Sequence, residues 1–206
     1  MSRTTEAMPS LYAAGCLPIC WIHNELYFLV GRDVRDNTWS DFAGKCEKID
    51  RDIESTASRE FWEESYGVLM DARTMRQRLT TALCVQGRTQ NSHPYYCFIT
   101  EIPFVPHLRD SFHKHLTFMR QRNVHRMYIE KNDIIYVGFH ELFSDAFPKR
   151  SVFKETLNQH KDLFEAIAAA GPSGFSTFAR VPQANTKSWY TPHGPEQRDA
   201  GSARWN

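Results

Sequence analysis

The stretch GKCEKIDRDIESTASREFWEESYGVL, from Gly44 to Leu69, decides how the rest of the chain is interpreted. It places three glutamates, Glu60, Glu63 and Glu64, directly after Arg59. Like charges three and four residues apart on a helix repel each other by about 0.2–0.5 kcal/mol per pair. Such a stripe is therefore either a solvated helix face or a site that holds a cation.

A helix is predicted here because Ile53, Ala57 and Phe61 recur every fourth residue. Asp52 is the predicted N-cap, and Gly67 is the predicted C-terminal stop. We expect the glutamates to lie opposite to this apolar face and to converge beside the carbonyl of a facing glycine loop. Such an oxygen-rich pocket suits Mg²⁺ or Mn²⁺, hard ions that keep water ligands and bridge to substrate phosphates.

The spacing around the glutamates resembles the signature of the Nudix hydrolase family, G-x5-E-x7-R-E-U-x-E-E-x-G-U, in which U is a bulky apolar residue. The chain supplies Gly44, the complete R-E-U-x-E-E core from Arg59 to Glu64, and Gly67-Val68. The order of predicted elements is also similar to that family over about residues 11–170. The resemblance implies hydrolysis of a diphosphate that is linked to another group.

Three departures from the signature concern the loop and the end of the helix. One residue is inserted between Gly44 and Arg59, so that either Asp50 serves as the first signature acid or that role is empty. A second residue is inserted after Glu64, and Ala43 stands where the family usually has the first of two glycines. None of the three departures removes a metal ligand that the resemblance implies.

The resemblance assigns roles to the signature residues. Glu60 and Glu64 are the main ligands of Mg²⁺ or Mn²⁺, and Glu63 is a further ligand or the catalytic base. The carbonyl of Gly44 completes one coordination shell, and Arg59 holds the rotamer of a glutamate. A divalent ion in this site would neutralise the diphosphate and activate a water molecule.

Substrate binding and the general base are assigned less directly. Lys45 follows the glycine, and Arg32 ends the second predicted strand, so both are candidates for binding phosphate. An exposed loop lysine explains Lys45 equally well. For a base outside the signature, Glu130 and Glu141 flank the last predicted strand, although surface salt bridges explain them more simply.

Strands and helices alternate along the chain, which predicts an α/β fold, a Nudix-like α/β/α sandwich with a mixed β-sheet between helices. The predicted strands lie at 12–22, 25–32, 79–87, 95–104 and 133–142, and the predicted helices at 53–66, 110–127 and 152–170. The domain is expected to cover residues 11–170. Residues 1–10 and the Gly-, Pro- and Ser-rich residues 171–206 are expected to be flexible.

The composition excludes several classes of protein. The 206 residues carry a net charge of +1, so no global charge favours a long polyanion as partner. The five cysteines are scattered and contain no C-x-x-C pair, which favours a reducing, cytoplasmic location over a disulfide framework or a cysteine zinc site. No apolar run approaches the roughly 18 residues of a membrane span. The small residues before Cys16 are interpreted as a buried strand and not as a lipoprotein signal.

A basic and aromatic segment, HLRDSFHKHLTFMRQRNVHRMY at residues 107–128, leaves the substrate open. It indicates contact with a capped RNA or, as we prefer for a chain of nearly zero net charge, an insertion that shapes the pocket for a nucleoside diphosphate derivative. The alternatives to a metal-dependent diphosphate hydrolase are an mRNA-decapping enzyme and a nucleotide-binding module without catalysis. The oligomeric state, including a homodimer, is also open.

Overall fold

A seven-stranded sheet forms the centre of the structure, a computed structural model that describes residues 11–178 apart from the side chain of Arg126. The strands are β1 (Ala13–Ile22), β2 (Glu25–Asp33), β3 (Trp39–Ser40), β4 (Phe42–Lys45), β5 (Leu83–Arg88), β6 (Pro94–Glu101) and β7 (Lys131–Gly138). The helices are α1 (Ile53–Glu64), α2 (Ala72–Leu79), α3 (Leu108–Gln121), α4 (Phe139–Phe143), α5 (Ser151–Gln159) and α6 (Lys161–Phe175).

The sheet is mixed, as predicted. Its strand order is β3-β2-β1-β6-β5, with β4 paired to β1 and β7 paired to β2. The strands β1 and β6 run parallel, and the other strand pairs are antiparallel. The predicted turn between β1 and β2 is also confirmed: His23 and Asn24 have φ angles of 52° and 67°, as a two-residue hairpin turn requires.

Helices cover both faces of the sheet, which confirms the α/β/α sandwich. On one face, α1, α2 and α3 bury side chains such as Phe61, Met75 and Phe112. On the other face, α5 and α6 bury Phe153 and Phe164. Two hydrophobic cores therefore lie on opposite sides of one sheet, and the signature helix α1 belongs to the first.

Several elements differ from the prediction. The helix α2 was missed, since Met75 and Leu79 are its only buried residues and two apolar positions establish no period. The predicted helix 152–170 is divided into α5 and α6 at His160, whose φ of −118° is not helical. The strand predicted at 133–142 ends at Gly138, where α4 begins.

The end of α6 lies beyond the predicted domain boundary at residue 170. Gly171 has a φ of 68° and interrupts the helix just before Pro172, so the Gly-Pro pair does mark a break. The chain then continues through another helical turn, which buries Phe175 in the core, and a 3-10 turn at Ser176–Phe178. Residues 1–10 and 179–206, for which flexibility was predicted, lie outside the described residues.

The cysteines of β1 provide a first test of this packing. Cys16 and Cys20 are fully buried in the same core, and burial raises the pKa of the Cys20 thiol to about 12. We expect mass spectrometry to find neither residue alkylated by iodoacetamide in the native protein, and both alkylated in urea. Rapid native alkylation, or a lipid on Cys16, would contradict this placement. In the described part of the chain, no helix combines the length and apolar character needed to cross a bilayer.

Candidate functional site

The signature helix α1 begins where the sequence predicts and ends at Glu64, two residues before the predicted Tyr66. Asp52 caps its N-terminus, with its side chain accepting a hydrogen bond from the Ser55 N–H at 2.7 Å. After Glu64 the chain turns through Tyr66 and Gly67, both with positive φ (55° and 65°). The residue inserted after Glu64 therefore belongs to a left-handed turn that follows the helix.

The glutamates do not lie opposite to the apolar face, so this expectation was wrong. Glu60 and Glu64 are buried, with exposed fractions of 8% and 3%, whereas the side chain of Glu63 is about half exposed. At 3.6 residues per turn, Glu64 lies seven residues after Ala57 and only about 20° from it around the helix. Two of the three carboxylates consequently face β4 and the sheet.

The strand β4 passes directly over these two carboxylates. A Cβ atom added to Gly44 would lie 2.2 Å from Glu60 Oε1, so a glycine is required there for space. The N–H of Ala43 donates a hydrogen bond to Glu64 Oε2 at 2.9 Å. Ala43 therefore replaces the usual glycine without losing the contact to the signature helix.

Arg59 clamps the outer side of the site. Its guanidinium donates hydrogen bonds to Asp50 Oδ1 (3.1 Å) and Oδ2 (2.9 Å), Glu60 Oε1 (2.7 Å), Glu63 Oε2 (3.1 Å) and the Lys45 carbonyl (2.9 Å). These bonds tie the loop after β4 to α1 and fix the orientation of two signature glutamates.

Asp50 lies in the loop that contains the inserted residue, and it is the carboxylate of this loop that pairs with Arg59. It is buried and also accepts hydrogen bonds from the Glu47 N–H and the Thr56 hydroxyl, both at 2.9 Å. Burial acts to raise the pKa of Asp50, but the hydrogen bonds from Arg59, Glu47 and Thr56 outweigh it and hold the pKa below its usual value. Despite the residue inserted before Arg59, the arginine therefore has an ionised carboxylate, Asp50, as its partner.

A buried lysine lies on the inner side of the site and was missed by the sequence analysis. Lys131, at the start of β7, is fully buried, and its Nζ donates a hydrogen bond to Ser40 Oγ at 2.7 Å. The same Nζ lies 3.4 Å from Glu64 Oε1. No sequence signal pointed to this contact, because the predicted strand began at Asp133 and lysines rarely lie inside proteins.

The pKa values of the two buried glutamates are raised, although each has a cation of the chain nearby. Burial raises the pKa of Glu60 to about 7, against the opposing effect of Arg59. Burial also raises the pKa of Glu64 to about 8, against the opposing effect of Lys131. Repulsion from Glu130 raises both pKa values further. A perturbed pair of this kind is typical of sites that bind a cation or transfer protons.

Glu130 and Glu141, the two candidates for a base outside the signature, lie in different parts of the structure. Glu130 directly precedes Lys131, whose Nζ lies 3.4 Å from Glu64 Oε1. Glu141 lies on α4, whose residue Phe143 packs in the core on the opposite face of the sheet. Glu130 is therefore the candidate that the structure brings to the site.

The donor set fits a hard divalent ion that is shared with a substrate. Among residues 11–178, no three acidic, histidine or cysteine side chains are grouped so as to hold a metal ion by themselves, and Glu63 turns toward Arg59. The expected pocket of three converging carboxylates is thus reduced to Glu60 and Glu64. Mg²⁺ commonly binds through one or two carboxylates together with water and substrate phosphates.

The two predicted phosphate-binding cations lie in different surroundings. Lys45 ends β4 and is exposed beside the Arg59 clamp. Arg32 lies in a network of β2 and β7, where its Nε donates to Asn132 Oδ1 at 2.8 Å and its Nη2 lies 3.7 Å from Asp133. The structure therefore places the backbone of Lys45 at the site, whereas its side chain leaves β4 on the face opposite to that of Gly44, and Arg32 has other partners.

The basic helix α3 is partly turned inward. Arg109 donates two hydrogen bonds to the buried Asp133, at 2.9 and 2.6 Å, and His113 Nε2 lies 2.9 Å from the same carboxylate. The ring of His115 stacks on Tyr66, just after the signature glutamates. The helix thus covers the C-terminal end of α1.

No protein-family model and no curated protein sequence matches the chain. Among solved structures, it is similar to a C. elegans Ap4A hydrolase (11% identity, 75% of this chain and 98% of that chain, TM-score 0.50). It is also similar to the Nudix hydrolase RenU of M. smegmatis (14% identity, 76% and 88%, TM-score 0.48). A third similar structure is the NUDIX domain of Shewanella oneidensis NrtR complexed with ADP ribose (10% identity, 78% and 90%, TM-score 0.47).

The comparison with solved structures shows the fold. The chain has the fold of the Nudix hydrolases, and α1 carries the core of the Nudix signature at the position described above.

Proposed function

We propose that the protein is a Mg²⁺- or Mn²⁺-dependent hydrolase that cleaves the diphosphate bond of a nucleoside diphosphate linked to another group. The observation that carries this proposal is the pair of buried carboxylates, Glu60 and Glu64, packed under Gly44. Burying two carboxylates side by side is costly unless a cation compensates them. The resemblance of the motif on α1 to the Nudix signature supports a diphosphate as the substrate class with which such a cation would be shared.

Each residue of the site has a role in this proposal. Glu60, Glu64 and the Gly44 carbonyl would hold the ion, which supplies charge neutralisation and an activated water when it is bound. Arg59 fixes the Glu60 carboxylate through the 2.7 Å hydrogen bond. Glu63, which is half exposed and accepts a hydrogen bond from Arg59, is proposed as a further ligand or as the base, with Glu130 as the alternative base.

A substrate screen tests the proposal directly. The purified chain is incubated with Mg²⁺, Mn²⁺ or EDTA and a panel of nucleotide sugars, dinucleoside polyphosphates including Ap4A, ADP-ribose, NADH, oxidised nucleotides and capped RNA. We expect at least one of these diphosphates to be hydrolysed with the metal and left intact with EDTA. Absence of metal-dependent hydrolysis across the panel would contradict the proposal.

A second candidate function, a nucleotide-binding module without catalysis, is favoured by one observation. Arg59 and Lys131 already lie against Glu60 and Glu64, so cations of the chain itself partly compensate both carboxylates. This alternative predicts that a nucleotide stabilises the protein, by about 2.7 kcal/mol at 100 times its Kd, without being hydrolysed. Thermal melting and product analysis on the same samples separate the two functions.

The mRNA-decapping alternative depends on the cations of α3. Arg109 and His113, two of the basic residues of α3, contact Asp133, which favours a helix that shapes the pocket over one that binds an RNA backbone. Capped RNA stays in the panel as the direct test, and hydrolysis of capped RNA in preference to small nucleotides would reverse this choice.

Gly44→Ala provides a test of the site geometry. The added Cβ would overlap the Glu60 carboxylate and displace it, and misplacing a catalytic group by about 1 Å can reduce the rate roughly 100-fold. We expect turnover to fall by about this factor. The matched control is Gly138→Ala, where a new Cβ would meet Tyr27 at an ordinary 3.7 Å. Equal activity of the two variants would show that Glu60 is not held by Gly44.

A further inference from the structure

Lys131 is built into the core beside the glutamate pair. Its exposed fraction is 0%, and its ammonium group contacts Ser40 Oγ and lies 3.4 Å from Glu64 Oε1. A charged lysine is almost never fully buried unless it is paired. Glu64 is the carboxylate that pairs with this buried ammonium group.

Gly31 packs against the aliphatic stem of Lys131, and Tyr66 binds its backbone carbonyl. A Cβ atom on Gly31 would lie 3.0 Å from Lys131 Cδ, so the absence of a side chain at Gly31 leaves room for the lysine stem. The backbone is fixed as well, because the Tyr66 hydroxyl donates a 2.6 Å hydrogen bond to the Lys131 carbonyl. Tyr66 belongs to the turn that ends α1, so this turn, which contains the insertion in the signature, ties Lys131 to the glutamate helix.

Both carboxylate oxygens of Glu64 already have partners in the chain. Its Oε2 accepts from the Ala43 N–H, and its Oε1 faces Lys131. An ammonium on the sheet side compensates the carboxylate without any metal, and it repels a divalent ion on the other side through a medium of low dielectric constant. The positive charge of Lys131 therefore reduces the free energy that a divalent ion gains by binding to Glu64.

We propose that Lys131 is a resident cation of the site, which keeps Glu64 in place in the metal-free protein and lowers the affinity of that protein for Mg²⁺ or Mn²⁺. This inference rests on the proposed function insofar as Glu64 is a metal ligand. Lys131 acts through Glu64 and is thus a positioning residue that sets metal affinity.

The test compares wild type with Lys131→Met and Lys131→Gln by Mn²⁺ titration calorimetry and by thermal melting without metal. Without metal, we expect both variants to melt at lower temperature, because Glu64 stays buried without its partner. With Mn²⁺, we expect the variants to bind the ion roughly tenfold more tightly than wild type or better. The gain should disappear in the double variant Glu64→Gln/Lys131→Met.

A matched control and the contrary outcomes make the test decisive. Lys154→Met removes an exposed lysine paired with Asp145 at 2.9 Å and should change neither property. Folded Lys131 variants that bind Mn²⁺ no more tightly than wild type would overturn the inference. If Lys131→Met is unfolded without metal, Mn²⁺ should fold it, and failure to do so would equally overturn the inference.

The same experiment separates this inference from the proposed function. Wild-type hydrolysis is measured independently of the calorimetry. Metal-dependent hydrolysis with unchanged Mn²⁺ affinity in Lys131→Met contradicts only the role of Lys131. Tighter Mn²⁺ binding in Lys131→Met without hydrolysis of any diphosphate contradicts only the enzymatic function.

Discussion

Glu64→Gln is expected to reduce metal-dependent diphosphate hydrolysis by orders of magnitude. The amide keeps the shape of the side chain but removes the negative charge that a divalent ion would need. Glu64 is among the most deeply buried carboxylates near the site, so water cannot readily replace it as a ligand. The measurement is the hydrolysis rate of the best substrate at saturating Mg²⁺, together with the Mg²⁺-dependent shift of the melting temperature.

The same variant also tests what compensates Glu64 in the metal-free protein. Repulsion among the glutamates alone predicts that Glu64→Gln stabilises the protein slightly. The contact with Lys131 reverses this sign, because the variant leaves a buried ammonium without its partner. We therefore expect a lower melting temperature without metal.

The control for Glu64→Gln is Glu165→Gln, which removes a half-exposed glutamate paired with Lys161 on α6. We expect it to alter neither hydrolysis nor metal response, since exposed pairs of this kind contribute about 0–1 kcal/mol. Wild-type hydrolysis by Glu64→Gln would show that the stripe is a helix face without a catalytic role.

Local signals in the sequence predicted the frame of this site. The cap at Asp52 and the recurrence of Ile53, Ala57 and Phe61 along α1 depend on residues close together in the chain, and the structure confirms them. The His23-Asn24 turn is local for the same reason. Such features follow from capping and turn chemistry alone.

Contacts between distant residues could not be predicted in this way. Lys131 meets Ser40 across 91 positions of sequence, and nothing near Lys131 indicates that it is buried. Whether Asp50 takes the place of the first signature acid also depends on how the loop folds back onto Arg59, which the sequence does not indicate. The burial of Glu60 and Glu64, by contrast, follows from the helical period, since both lie only about 20° around α1 from the apolar residue Ile53.

Arg59→Ala is expected to cause the largest loss of stability among these single substitutions. It leaves Asp50 buried without its bidentate partner and removes the hydrogen bond that orients Glu60. Breaking a buried ion pair by removing one partner typically costs about 3–5 kcal/mol of unfolding free energy. Urea denaturation of wild type and variant, each without metal, measures this difference.

Two further variants identify the source of that loss. Arg76→Ala breaks a pair with Asp52 that is shorter, at 2.6 Å, but exposed to solvent, and it should cost only about 0–1 kcal/mol. The double variant Arg59→Ala/Asp50→Asn should recover part of the stability, because it removes the charge that Arg59→Ala leaves unpaired. Equal losses in Arg59→Ala and Arg76→Ala would show that burial of the pair is not what matters.

The pH dependence of the same comparison distinguishes the ion pair from simple loss of packing. The pKa of Asp50 is lowered in the folded protein, so its stabilising contribution is present above the unfolded pKa of about 3.9 and disappears as the pH falls through the lower folded value. The stability difference between wild type and Arg59→Ala should therefore be largest near neutral pH and should shrink below about pH 4. A difference that stays constant on acidification would mean that Arg59 stabilises the loop through packing and not through the charge of Asp50.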